Sequence, residues 1–315
     1  MSRTPRYVPP GGCLVEVTCR TVHGRLLLRP SREVNETIVG VLGRALARHP
    51  LELVAAVFMS NHFHLLVRVE DARELAHFMR FLNGNLSREI GRLHGWPQTL
   101  WGRRYDAILV SNEEEAQVSR LRYLLAHGVK EGLVRRPEHW PGVHSAESLL
   151  KGRPLQGFWF DRTREYQARR RGQRLNRYTF AEEVRVELGR LPCWAHLSER
   201  EYRSRVEDLV EQIETEAASA RRSRGERLPS TSTCRRRIRR QHPHRRVVDS
   251  LPRRPAPTVH AYRRHVREKL LRMLAEFVAA YREAARRLRE GKRRVRFPPG
   301  SFPPRLPFVA VPRAP

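Results

Sequence analysis

The stretch Met59-Ser60-Asn61-His62-Phe63-His64-Leu65-Leu66-Val67 sets two histidines at i and i+2 within an apolar run. Side chains of a strand alternate between faces with a period of two, so His62 and His64 share one face and Phe63 and Leu65 the other. Two imidazoles side by side on a strand make a candidate metal-binding edge, because neutral imidazole nitrogen is a common ligand. The plainer alternative is a pair of half-exposed histidines on an ordinary sheet, since short motifs often arise by chance.

The neighbouring sequence places this stretch in a fold. Residues 51–59 (LELVAAVFM) read as a buried strand, Ser60-Asn61 as a tight turn and 62–69 as the returning strand of a hairpin. Upstream, residues 13–22 alternate as a strand, and a helix over about 33–48 carries Ile38, Val39, Leu42 and Leu46 on one side until Pro50 stops it. Downstream, a helix over 72–94 repeats Leu75, Phe78, Met79, Leu82, Leu86, Ile90 and Leu93, and 105–110 (YDAILV) supply another strand. The order strand, helix, strand, strand, helix, strand predicts an α+β, ferredoxin-like domain, an antiparallel sheet with helices on one face. A helix from Ser111 to about 128 follows, its first turn rich in glutamate as the helix dipole favours, and a short helix reaches about Leu150.

Charge divides the chain. The 315 residues carry 62 Lys and Arg against 33 Asp and Glu, a net +29. Up to position 150 there are 20 basic and 15 acidic residues (+5), and beyond it 42 and 18 (+24). Such a field points to a polyanion, most simply nucleic acid, and the dominance of Arg over Lys suits bidentate phosphate and base contacts. A genome biased toward arginine codons would explain Arg over Lys but not the excess over acids. Four scattered cysteines with no CxxC pair argue against disulfides and a zinc cluster. No run of 18 apolar residues and no leader-like N-terminus is present, so the expectation is a cytoplasmic, nucleoid-associated protein with no membrane partner.

The basic part reads as three pieces after a 1–150 catalytic domain. Residues 151–222 form a helical extension: a basic connector over 151–175, then helices over 179–188 and 198–222. Residues 223–258, rich in Arg and Pro, read as a flexible linker. Residues 259–315 read as a long helix over 260–290, a packing or dimer element, with an extended Pro-rich tail.

Tyr123 and His127 lie four residues apart and so on one side of their helix. A divalent ion held by His62, His64 and His127 would polarise a phosphodiester oxygen while Tyr123 attacks phosphorus to form a phosphotyrosine. Tyr105 is the rival tyrosine, read as a DNA contact or packing residue. Arg103, Arg104, Arg120 and Arg122 are candidate phosphate contacts, and Arg169, Arg170 and Arg171 with the run at 235–240 are candidates to track a DNA backbone, with binding that weakens in salt. Trp96, Trp101 and Trp140 read as core residues rather than base-stacking platforms, and His94, His139 and His144 as structural.

At these residues the chain resembles a known family. Asn61-His62-Phe63-His64-Leu65-Leu66 looks like the histidine–hydrophobic–histidine motif of single-tyrosine transposases. Residues 101–134, from Trp101-Gly102-Arg103-Arg104-Tyr105 through Arg122-Tyr123 to His127-Gly128 and Val134, resemble the tyrosine-helix block of REP-associated tyrosine transposases. The resemblance covers roughly residues 8–150. It implies a ferredoxin-like catalytic domain that uses Mg2+ or Mn2+ to cleave and rejoin single-stranded DNA, often at hairpin-forming repeats, through a 5′-phosphotyrosine. It further implies Tyr123 as nucleophile, His62, His64 and His127 as ligands, and dimers as in the related small transposases. The chain departs where the family usually ends this helix in Asn-Pro and here has His127-Gly128, although histidine still ligates. Two other functions stay open: a nucleic-acid-binding protein that kept the fold without catalysis, and a metal-dependent nuclease using water.

Overall fold

The computed structural model describes residues 6–228, 230–247, 257–292 and 294–304. The first half runs β1 (Cys13–Arg20), α1 (Arg32–Arg48), β2 (Glu52–Phe58), β3 (His62–Val69), α2 (Ala72–His94), β4 (Asp106–Val110), α3 (Glu114–Leu125) and α4 (Ala146–Lys151). Helix starts follow the capping chemistry. The Ser31 side chain accepts from Val34 N at the start of α1 and Asp71 from Arg73 N at the start of α2. The sheet order β2-β3-β1-β4, with every neighbouring pair antiparallel, is the ferredoxin-like arrangement.

Both faces of this sheet are covered, so helices are not confined to one face. Val15, Val17, Phe63, Leu65 and Val67 point into a core closed by α1 and α2. Leu14, Val54, Val57, Leu66 and Val110 point into a second core closed by α3 and by the helix Glu199–Ser223. Period two along β3 therefore sends Phe63 to the first core and His62 and His64 toward the second.

The extension is more ordered than its composition suggests. It comprises β5 (Leu155–Phe160), α5 (Arg162–Arg170), β6 (Ala181–Val186), α6 (Glu199–Ser223), α7 (Thr231–Arg240), β7 (Val259–His260) and α8 (Arg264–Arg289). Where 151–175 was expected to be a connector and 179–188 a helix, β5 and β6 pair antiparallel against α1, with α5 between them in the chain. The reason is local: Val184 and Val186 alternate toward Gly43, and Gly40 lets the β5 backbone approach so closely that a Cβ there would meet Phe158 O at 1.8 Å. The expected linker 223–258 contains α7, because Cys234 and Ile238, four residues apart, are buried while its arginines face outward. Positions 248–256 of that expected linker and 305–315 of the expected tail lie outside the described residues. The long helix starts at Arg264, since Val259 and His260 instead pair in parallel with Leu109 and Val110 at the β4 edge. Among the described residues no helix is long and apolar enough to cross a membrane.

Candidate metal and tyrosine site

The hairpin bend sets the first ligand. Met59 N donates to His62 O at 2.8 Å, closing the turn as β3 begins. His62 Nδ1 meets Asn61 Oδ1 at 2.7 Å, and His64 Nδ1 meets Glu16 Oε1 at 2.8 Å. On the helix opposite, α3 ends at Leu125, earlier than expected, so His127 sits in the turn beyond it. Its Nδ1 meets Leu124 O at 3.2 Å. Gly128 follows with φ +87°, a left-handed conformation that favours glycine, and folds the chain back so that Lys130 returns to the site.

The three imidazoles converge. One nitrogen of each of His62, His64 and His127 lies within 4.8 Å of the others. Their ring centroids are 5.3, 5.8 and 4.4 Å apart for the pairs 62–64, 62–127 and 64–127. With each Nδ1 donating to an oxygen, each Nε2 is left as the ligand atom, the arrangement in which outer oxygens fix the tautomer of a metal-binding histidine. Burial pushes the His62 imidazole well below its ordinary range and lowers that of His127, and the neighbouring histidines and Lys130 add to this. Both are therefore neutral at neutral pH, the form that ligates. The residues fit a divalent cation, and three imidazole nitrogens favour a transition metal over Mg2+. Lys130 Nζ, 3.2 Å from His127 Nε2, must give up that contact when the nitrogen ligates.

Tyr123 joins this cluster from α3, its ring centroid 4.9 Å from His127 and 5.6 Å from His64. Lys130 Nζ stands 3.6 Å and Arg120 Cζ 4.6 Å from the ring centroid. Burial and the Glu16 carboxylate push the phenol above its ordinary value of 10.0, opposed by Arg120. Tyr123 opens onto a cleft of about 410 Å³ between α3 and α6, with Arg120, Arg122 and Lys130 on its near side.

Glu16 is the member that sequence reasoning missed. It is 1% exposed, on β1, bridging His64 through Oε1 and Arg120 Nη1 through Oε2 at 2.8 Å each. Burial would raise its pKa, but the hydrogen bonds and charges of His64 and Arg120 prevail and hold it below its ordinary value of 4.5. The available signal was a lone carboxylate inside the apolar alternation of Cys13–Arg20.

The other expected residues divide. Arg120 and Arg122 reach the site, with Arg122 paired to Glu216 of α6. Arg103 pairs with Asp106 at 2.5 Å, and Arg104 stacks on Tyr105. Tyr105 is buried in the first core, so the sheet separates it from the histidines. Arg169, Arg170 and Arg171 lie at the end of α5, in the unit that packs on α1 and is tied to α2 by Arg162–Glu89. They stand on the face away from the site. Trp140 is a core residue that donates from Nε1 to Phe58 O at 2.9 Å, and Trp101 packs edge-on against Phe63. His144, read as structural, is buried beside His127 with its pKa pushed down to about 4 by desolvation.

Residues 27–123 match the family described as transposase IS200 like. Among solved structures, a candidate transposase from Deinococcus radiodurans R1 is similar at 23% identity over 38% of this chain and 95% of its own, with a TM-score of 0.28. A REP-associated tyrosine transposase bound to a REP hairpin is similar at 17% identity over 48% of this chain and 87% of its own, with a TM-score of 0.38. No curated protein matches the chain. The matched segment, which holds the two strand histidines and Tyr123, is similar to the IS200-like transposase family.

Proposed function

We propose that this chain is a transposase that cleaves and rejoins single-stranded DNA through Tyr123, at hairpin-forming repeats. The observation that carries this reading is the position of Tyr123 against the three histidines on one face of the sheet. In the cleavage step Tyr123 Oη bonds to phosphorus and the bond from phosphorus to the 3′ oxygen breaks. That oxygen leaves as a hydroxyl, and its return reverses the step and rejoins a strand.

The chain's own residues prepare this step. Arg120 beside the Tyr123 ring favours loss of the phenolic proton, which burial and the Glu16 carboxylate oppose, and Lys130 stands over the same ring. Arg122, beside Tyr123 in the cleft, is placed to meet a phosphate. Glu16 holds His64 in the tautomer that presents Nε2. A divalent metal, Mn2+ in preference to Mg2+, would be held by His62, His64 and His127 and would stabilise charge on the phosphoryl oxygens.

The test is incubation of the full chain with labelled hairpin oligonucleotides and Mn2+, followed by a denaturing gel. A shifted band that requires both metal and Tyr123 is expected. Cleavage with no adduct would make it a nuclease that uses water. Salt-sensitive binding with no cleavage on any substrate would leave a DNA-binding protein that has kept the fold.

A further inference from the structure

We propose that α6 supplies the second wall of a single-stranded DNA path that starts at Tyr123 and crosses Arg221 to a second basic cleft around Arg135 and Arg222. This rests on the transposase reading and assigns a role to the extension, which lies outside the family match at 27–123.

The wall is one stripe of α6. Ile213, Glu216, Ala217, Ala220, Arg221 and Arg224 recur at helical spacing and face Tyr123 across the cleft of about 410 Å³. The stripe is held in place from below, because Val206, Leu209, Val210 and Ile213 are buried in the second core. A capping box between Ser198 and Glu201 fixes the start of the helix. Ala217 and Ala220 keep the helix slim where it passes the tyrosine, so a strand can lie between α3 and α6 at Tyr123. The space lies between two packed helices, which suits an unpaired strand rather than a duplex.

The path continues because Arg221 lines two clefts. The second, of about 550 Å³, lies on the other side of the same helix end and is lined by Arg135, Arg136 and Arg222 as well. Acids already engage part of this charge: Glu216 pairs with Arg122, Glu214 with Arg136 at 2.5 Å and Glu226 with Arg224 at 3.0 Å. Arg221 and Arg222 make no ion pair among the described residues, which leaves two guanidinium groups on the ridge between the clefts for phosphate. Tyr123 in the first cleft and His139 in the second are the ring side chains along this path, and the arginines around them make the contact mainly electrostatic and tolerant of sequence.

The test uses the full chain with Tyr123→Phe, so that binding is read without adduct formation, and a labelled single-stranded oligonucleotide at several salt concentrations. Adding Arg221→Ala and Arg222→Ala is expected to weaken binding by about tenfold or more and to make the plot of log affinity against log salt shallower by about 1 to 1.5, for two lost single-strand phosphate contacts. Arg221→Lys should restore part of the slope. Arg272→Ala, at an exposed position on α8, should change neither. Unchanged affinity and slope in the Arg221/Arg222 variant would overturn the path. A parent protein that binds no single-stranded DNA at any salt concentration would instead overturn the transposase reading on which the path rests.

Discussion

The two faces of the sheet are buried alike but built from different materials. Toward α1 and α2 the strands present Val15, Val17, Phe63, Leu65 and Val67, an apolar layer that needs no hydrogen-bond partner. Toward α3 and α6 the same strands present Glu16, His62 and His64 next to Leu14 and Leu66. A buried polar group is tolerable only when paired, so this second face needs a defined network before it can pack. The difference teaches how one domain separates its tasks: the first face holds the strands in register, and the second spends that rigidity on aligning imidazoles and a phenol.

The sharpest way to break the comparison is to compare substitutions on the two sides of one sheet. Tyr123→Phe on α3 should abolish the covalent adduct on a denaturing gel while leaving the thermal midpoint and DNA binding in place. An adduct that persists would move suspicion to another tyrosine. Phe63→Ala, between the two histidines but facing the first core, should lower stability by about 3–5 kcal/mol in urea unfolding. A smaller loss than that seen for His64→Ala would reverse the assignment of the two faces. Glu16→Gln should weaken metal binding about 10–100-fold by calorimetry. If affinity is unchanged, Glu16 is a structural carboxylate only. Gly40→Ala should destabilise the chain by about 1–3 kcal/mol and expose 155–186 to protease, because the new Cβ meets the β5 backbone.

Acid sharpens the contrast further. The Glu16 carboxyl has a pKa below its ordinary 4.5 in the fold, so it adds stability that is fully present above about that pH and is lost as pH falls through the lower folded value. Unfolding followed from pH 6 downward should therefore show an acid-dependent loss that Glu16→Gln lacks. Identical profiles for the two proteins would show that the pairing with His64 and Arg120 does not favour the charged form.

Local periodicity made much of the first half legible. His62, Phe63 and His64 announced both the strand and its two faces, and the repeat from Leu75 to Leu93 announced α2. Tyr123 was legible from its shared helix side with His127 and from its resemblance to a known helix block, but nothing in its spacing shows that α3 crosses the sheet above β3. Glu16 was not, since its partners His64 and Arg120 are 48 and 104 residues away. In the extension, arginine density masked weaker signals. Leu155-Gln156-Gly157-Phe158-Trp159-Phe160 contains the apolar residues of a strand, and Val184 and Val186 alternate, but both were read through the charge around them. Cys234 and Ile238 were likewise the only two inward residues in a run of arginines.

The margins of the sheet carry one last consequence. At β4, Leu109 N donates to Thr258 O at 3.0 Å and Ser111 N to His260 O at 2.9 Å, so the C-terminal segment occupies that margin. At β2, Phe58 N donates to Val143 O and Gly189 N to Leu53 O, both at 2.8 Å, while Ser145 both gives to and takes from Ala56. A strand from another molecule finds these ladder positions taken on either side. At these two margins the sheet thereby resists the edge-to-edge stacking that leads to aggregation.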